Sequence, residues 1–406
     1  MASENKTVGK RILSGMRSSG YMHLGHYHGV LKNWLRLQHE YECYFFVADW
    51  HALTTHYDDT SKLEDQMWNM VVDWLAVGIN PKIARIFVQS KVPEHAELFL
   101  LLSMITPLGW LERVPTYKEQ QRKIKEKDLA TYGFLGYPLL QSADILMYKA
   151  DAVPVGEDQV VHVELTREIA RRFNYVFGRE ADFEARAKMA IRKLGGKHRR
   201  VYEDSRVRYQ EQGDTAALEA GQAIVEGHPN ITVADRERLL GYIEGSGRVI
   251  LAEPQPLLTK VPKLPGLDGQ KMSKSYGNTI PLREEPDVVA KNIRKMPTDP
   301  ARVRRTDPGD PEKCPVWQFH KIYSDERRQQ WVQEGCRSAG IGCVECKQPV
   351  IDAVIAELEP IQTRGAEFES NPDMVRSIIN EGSERARDTA RETMDEVRHA
   401  IGLHYR

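Results

Sequence analysis

Two short clusters in this chain combine histidines, lysines, hydroxyls and glycines in a way that suits phosphate chemistry. The first is Ser14-Gly15-Met16-Arg17-Ser18-Ser19-Gly20, followed by His23-Leu24-Gly25-His26. A glycine near a helix start lets a flat base approach the backbone, and free N–H groups there favour anionic oxygens. Imidazoles at His23 and His26 can donate hydrogen bonds to phosphate oxygens as charge develops. Taken alone, two nearby histidines could equally cap a helix or bind a stray metal. The second cluster is Lys271-Met272-Ser273-Lys274-Ser275, preceded by Gly266 and Gly269 and followed by Gly277-Asn278. Two lysines and two hydroxyls on a Gly-flanked loop suit a mobile clamp on a polyphosphate.

A third region holds Tyr137-Pro138-Leu139-Leu140-Gln141-Ser142-Ala143-Asp144, then Val153-Pro154-Val155-Gly156-Glu157-Asp158-Gln159, then His162–Arg167. A carboxylate such as Asp144 in so apolar a setting is costly to bury unless it has a partner. A fourth pattern is Cys314-x21-Cys336-x6-Cys343-x2-Cys346, with the fifth cysteine, Cys43, alone in an apolar run. No apolar leader precedes the first motif, so a cytoplasmic setting is expected, and clustered thiols there suggest metal ligation over disulfides. Four thiolates suit tetrahedral zinc or a [4Fe–4S] cluster. Zinc sites usually show two C-x-x-C arms; here Cys343 and Cys346 form the one close pair.

These residues need elements to position them. Arg11–Met16 reads as a strand, 26–40 as a helix, 43–49 as a buried strand, 62–77 as a helix and 84–89 as a strand. Strands alternating with helices imply an α/β fold built on a doubly wound, parallel, Rossmann-like sheet, with ligands beyond the carboxyl ends of its strands. Between about 181 and 248, Lys, Arg, Asp and Glu dominate in near balance and apolar residues thin out, as in a charged helical insertion. Beyond Asn278 the pattern is mostly helical, ending in Ala386, Ala390, Met394, Val397 and Ile401 at helical spacing with Gly402 as a C-cap. The expected organisation is therefore a catalytic domain over 1–180 and 249–285, interrupted by 181–248, and a helical C-terminal domain over 286–406. The 406 residues are 41% hydrophobic and 28% charged, with no apolar run long enough to cross a bilayer. A formal net charge of −1 makes no general case for nucleic-acid binding, so a polyanion partner would need a local basic surface.

His23-Leu24-Gly25-His26 and Lys271–Ser275 resemble the "HIGH" and "KMSKS" signatures of class I aminoacyl-tRNA synthetases, the second without a change. The 137–146 and 153–167 runs, with Ala48–Thr54, resemble the tryptophanyl branch of that family over about residues 10–180 and 250–402. The resemblance implies ATP with Mg2+ bound through Arg17, Ser18, Ser19, Gly25, His26, Gly156, Glu157, Asp158, Lys271, Met272, Ser273, Lys274 and Ser275. His23, His26, Lys271 and Lys274 would stabilise the transition state. Asp144 would accept the indole N–H, a donor-only group. Tyr137 and Gln159 would hold the ammonium and carboxylate, and Gln141, Val153 and Val155 would line the slot. Partners implied are L-tryptophan, ATP, tRNA(Trp) and a second copy of the chain; no membrane is implied. A subset of the branch carries an iron–sulfur cluster on nearly this cysteine spacing, with a first gap typically one residue longer. Many relatives have proline where Ser18 stands, and some have methionine at the Gln141 position. The competing readings are a tyrosyl-tRNA synthetase and a non-catalytic, RNA-binding relic. Relics often lose the histidines or lysines of the ATP motifs, all of which are present. A nicotinamide dehydrogenase lacks support, since no G-x-G-x-x-G follows the first strand.

Overall fold

The computed structural model describes residues 9–18, 20–114, 131–178, 182–259 and 264–403, and not the side chain of Ser275. Ser19 therefore lies outside the described residues. Five strands form one sheet in the order β3-β2-β1-β4-β5: β1 (Arg11–Met16), β2 (Glu42–Val47), β3 (Ala84–Val88), β4 (Ala152–Val155) and β5 (Gln255–Leu258). The β1/β4 and β2/β3 pairs are parallel. Many helices accompany the sheet, and the C-terminal part is helical, so the fold is the Rossmann-like α/β arrangement expected. The chain divides into two compact units: Met1–Gly9, Ser14–Val88 and Leu258–Ser383 make the first, and Lys10–Leu13, Gln89–Leu257 and Glu384–Arg406 the second.

In the first unit, β2 runs in register with β3 from Cys43↔Ala84 to Val47↔Val88. Cys43 through Val47 are all buried, as a parallel strand covered on both faces requires. Trp34 of α2 (Lys32–Glu40) stacks on Phe45 at 4.1 Å and meets Trp74 of α4 (Leu63–Val77) edge-on at 5.0 Å. Helix α4 stops at Gly78, whose φ of 109° suits glycine and lets its N–H cap Leu75 O.

Two elements depart from the sequence expectation. The helix expected over 26–40 begins earlier, as α1 (Leu24–His26), and passes through a π turn at Tyr27–Leu31 before α2. The strand expected to reach Asp49 ends at Val47, because Asp49 opens α3 (Asp49–His56). There its carboxylate accepts the Trp50 N–H at 3.1 Å and sits favourably at the positive helix end.

The helical part of this unit comprises α13 (Pro286–Lys295), α14 (Pro315–Tyr323), α15 (Glu326–Arg337), α16 (Cys343–Glu369) and the start of α17 (Pro372–Ala400). Helix α16 packs on α4 and α13. At Gly382 of α17 any Cβ would run into the Ile86 carbonyl, so the helix reaches the β3 backbone only with glycine there.

The second unit holds Ile12 paired with Ala152. Its helices are α5 (Glu94–Ser103), α6 (Leu108–Glu112), α7 (Tyr132–Met147) and α8 (Val160–Phe177), with α7 packed against α5 and α8. Residues 182–247 form α9 (Phe183–Lys193), α10 (Gly195–Gln212), α11 (Thr215–Glu226) and α12 (Val233–Ile243). They share a core of Ile191, Leu194, Tyr202, Val225, Leu239 and Ile243. The last turns of α17 bury Ala386, Ala390, Met394 and Val397 completely, while Ile401 falls beyond the helix and Gly402 takes φ 79°. Among the described residues no helix is long and apolar enough to cross a membrane.

Candidate active site

In the first unit the two phosphate-type motifs meet. The Gly25 N–H donates to Met272 Sδ at 3.3 Å. Leu24 N–H donates to Ile280 O and Leu282 N–H to Met22 O, each at 3.0 Å, so the segment after the lysine loop is stitched to the entry of α1. Asn278, 3% exposed, organises the loop itself. Its Oδ1 accepts the Ser273 N–H at 2.7 Å, and its Nδ2 donates to Asp268 Oδ1 at 2.7 Å and Lys271 O at 3.1 Å.

The His23 and His26 rings lie 3.7 Å apart, and the His23 backbone N–H points to His26 Nδ1 at 3.4 Å. Burial lowers the pKa of His23 to about 4, with the Lys274 ammonium adding to the effect. His26 falls to about 3 through burial, His23 and Lys274. Both rings are therefore neutral at physiological pH; each can donate one N–H, and the positive charge of the site resides on lysine. Burial also lowers Lys274, to about 8, against the opposing pull of Asp73. Asp73 is 1% exposed and accepts from Met22 N–H at 2.7 Å and Arg283 Nε at 2.6 Å, while burial pushes its own pKa up. Arg17 is exposed just past β1, Ser18 is buried, Lys271 is exposed and Ser273 is half-buried.

In the second unit, Tyr137, Gln141 and Asp144 recur at i, i+4 and i+7 on α7, one face of the helix. Asp144 is 1% exposed; its Oδ1 accepts from Gln89 Nε2 at 2.7 Å and is bonded to His95 Nδ1 at 2.6 Å. His95 Nε2 in turn meets Tyr148 OH at 2.7 Å. The carboxylate is thus held by a buried chain. Gln89 Oε1 is buried with no hydrogen-bond partner among the described residues, an acceptor of the kind a bound ligand satisfies. Val153 and Val155, both buried, alternate on β4. Gly156 leads into a short 3₁₀ turn, Glu157–Gln159, where Glu157 and Asp158 are exposed and Gln159 donates to Asp158 at 3.2 Å.

The sequence reading missed Asp73 and Arg283 in one unit and Gln89 and His95 in the other, and took Asn278 only as a flank of the lysine loop. Position after a strand is the one signal that could have found Gln89, since it follows β3 directly.

The four clustered cysteines come from three places in the helical part: Cys314 at the cap of α14, Cys336 on α15, and Cys343 and Cys346 in the first turn of α16. Burial, with smaller contributions from Cys314, Cys336 and Cys343, raises the thiol pKa of Cys346 to about 12. Cys336 Sγ accepts from Arg302 Nη1 at 3.7 Å, and Cys346 Sγ faces His320 Nε2 at 3.4 Å. Among the described residues no group of three or more His, Cys, Asp or Glu is placed to hold a metal ion. The donor set has the right chemistry for iron or zinc, and two of its sulfurs are engaged by side chains instead. Cys343 also borders a cavity of about 830 Å³ lined by Arg302, Arg304 and Arg305.

Comparison with known proteins accords with this geometry. The sequence model of tRNA synthetases class I (W and Y) matches residues 5–192 and 230–359. The tryptophan–tRNA ligase of Ralstonia nicotianae is 62% identical over 396 residues, covering 98% of this chain and 99% of the relative. That of Thermotoga maritima is 46% identical, covering 97% and 99%. The structure of tryptophanyl-tRNA synthetase from Campylobacter jejuni complexed with ADP and tryptophan superposes with a TM-score of 0.71 at 27% identity, covering 97% of this chain and 100% of that one. The chain belongs to the class I tRNA synthetases of the tryptophan and tyrosine kind, and within them its activity is that of a tryptophan–tRNA ligase.

Proposed function

We propose that the two half-sites divide the work of that activity as follows. In the first step a tryptophan carboxylate oxygen attacks the α-phosphorus of Mg-ATP, the bond from that phosphorus to the bridging oxygen breaks, and pyrophosphate leaves. In the second step the 2′-OH of the terminal adenosine of tRNA(Trp) attacks the adenylate carbonyl carbon and AMP leaves. The protein supplies no nucleophile. Its residues align the reactants and neutralise charge as it moves onto the pyrophosphate.

Lys271 and Lys274 take the leaving pyrophosphate, and His26, His23 and the N–H groups opening α1 serve the phosphate nearer the sugar. Arg17, Ser18, Ser19, Gly25, Met272, Ser273 and Ser275 complete the nucleotide seat, with Gly156, Glu157 and Asp158 toward ribose and adenine. Asp144 accepts the indole N–H, Tyr137 and Gln159 orient the ammonium and carboxylate, and Gln141, Val153 and Val155 line the slot. One observation carries the adenylation part of this reading: the Gly25 N–H lies 3.3 Å from Met272 Sδ, with the Lys274 ammonium close enough to lower the pKa of both histidines. The loop lysines then supply the positive charge beside two neutral imidazoles. The test is Lys274→Ala. Removing a donor aimed at a leaving group costs about 3 kcal/mol, so tryptophan-dependent pyrophosphate exchange should fall roughly a hundredfold with little change in tryptophan affinity. A raised KM for tryptophan with kcat intact would contradict the role.

We further propose that residues 286–406 read the anticodon, that 181–248 is an insertion in a catalytic domain spanning 1–180 and 249–285, and that the protein works as a cytoplasmic homodimer. Exposed Leu100, Met104 and Leu108 on and after α5 give such a dimer apolar surface to bury. Cys314, Cys336, Cys343 and Cys346 would hold a [4Fe–4S] cluster, with zinc the alternative. The chemistry of four thiols at that spacing supports the reading, and such a group would brace the helical part without taking part in adenylation.

A further inference from the structure

The bundle α9–α12 carries its charge unevenly. Its cations and anions nearly cancel, yet from Ala185 to Arg200 there is no Asp or Glu. Arg186 and Lys188 lie in the first half of α9 and Arg192 and Lys193 in its last turn, and Lys197, Arg199 and Arg200 occupy the opening turns of α10. All of these side chains are exposed. Only Leu194 separates the two helices, and the chain turns there through Gly195 at φ 74°, so both sets of cations gather around one corner of the bundle. The acids lie farther along, for example at Glu211, Glu219 and Glu226, all exposed.

Helix stability does not account for this placement. Lysine and arginine at the end of α9 complement the helix dipole, but the same charges opening α10 oppose it, and α10 has no acid in its first turn. Like charges one turn apart, such as Lys188 with Arg192 or Lys197 with Arg200, also destabilise a helix. Local ion pairs relieve part of the charge: Lys193 meets Asp235 at 2.6 Å and Arg199 meets Glu203 at 3.0 Å. Arg192, Lys197 and Arg200 have no ion-pair partner among the described residues. The Tyr202 hydroxyl, donating to Leu239 O at 2.6 Å inside the shared core, shows that the corner rests on a packed unit. Helices α10 and α11 both fall within residues 193–229, which the family's sequence model does not match.

We infer that this basic corner is an auxiliary docking surface for the phosphate backbone of the tRNA substrate, partly built from a stretch outside the family's sequence model. The inference rests on the ligase activity stated above. Contacts of this kind raise affinity without reading sequence and weaken with salt through counterion release.

The test is the triple substitution Arg192→Gln, Lys197→Gln and Arg200→Gln in the full chain. Binding of tRNA(Trp) transcript is measured across a salt series beside tryptophan-dependent pyrophosphate exchange. The expected result is unchanged exchange, tRNA binding weakened about tenfold or more at low salt, and a log–log salt slope reduced by about two to three units. Glu219→Gln with Glu226→Gln, on the acidic side, should leave binding no weaker. Unchanged affinity and slope in the triple variant would overturn the inference. If the triple variant loses exchange through misfolding, Lys197→Gln and Arg200→Gln alone should each lower the slope by just under one unit, and an unchanged slope in both overturns it equally. Wild-type protein that fails to charge tRNA at all would instead overturn the ligase reading.

Discussion

Asp144→Asn tests the amino-acid pocket at its most constrained atom. The carboxylate is 1% exposed, with Oδ1 engaged by Gln89 Nε2 at 2.7 Å and His95 Nδ1 at 2.6 Å. An asparagine has one acceptor where the aspartate has two. If its oxygen stays with Gln89 and His95, its NH2 faces the indole N–H, donor against donor. If it turns round, the NH2 faces Gln89 and the substrate meets a neutral acceptor. Either way one charge-assisted hydrogen bond is lost, at about 1.5–3 kcal/mol. At 1.4 kcal/mol per factor of ten, kcat/KM for tryptophan should fall by roughly ten- to a hundredfold. Phenylalanine has no ring N–H and should lose almost nothing, so selectivity should fall by nearly the whole factor. The assay is pyrophosphate exchange with each amino acid, with the KM for ATP and the Tm as controls for general damage. An unchanged tryptophan-to-phenylalanine ratio in a folded variant would place the indole partner elsewhere, with Gln89 Oε1 the next candidate.

Three further outcomes are expected. With the Lys274 pKa lowered to about 8, its ammonium discharges as pH rises through that value, so kcat/KM for ATP should decline above about pH 8. Lys274→Arg should remove that limb, because guanidinium stays charged; an identical limb in the variant would assign it to another group. Replacing residues 182–247 with a short Gly/Ser linker should preserve exchange, since Arg248 N–H already bonds Gly178 O at 2.8 Å; abolished exchange in a folded variant would refute this. Cys343→Ser should lower the stability of the helical part and impair charging more than exchange, and anaerobic wild-type protein should carry about four irons per chain if a cubane is present. Colourless protein with one zinc per chain would reject the cluster and keep the brace, and metal-free protein with full charging activity would reject both.

The catalytic signatures were legible because each is local: His23 to His26 and Lys271 to Ser275 carry their chemistry within one turn or loop. What holds them was not. Asp73 joins Met22 to Arg283 across long stretches of chain, and nothing in the apolar run of α4 marks it as more than a helix residue. Gln89 and His95 were invisible for the same reason, their meaning arising only where α5 meets α7. The π turn at Tyr27–Leu31 has no sequence period of its own. It places His28 so that its Nε2 bonds Tyr323 OH at 2.7 Å, linking the helix after His26 to α14, whose cap is Cys314. In the bundle, a near-zero charge sum concealed an acid-free run from Ala185 to Arg200, and the turn at Leu194 and Gly195 brings its two halves to one corner.

A tryptophan–tRNA ligase activates tryptophan and not tyrosine. ATP–pyrophosphate exchange, run in parallel with saturating tryptophan and with tyrosine on the same wild-type preparation, tests it most directly. Exchange should be rapid with tryptophan, falling on Lys274→Ala, and near background with tyrosine. Equal or faster exchange with tyrosine would contradict it.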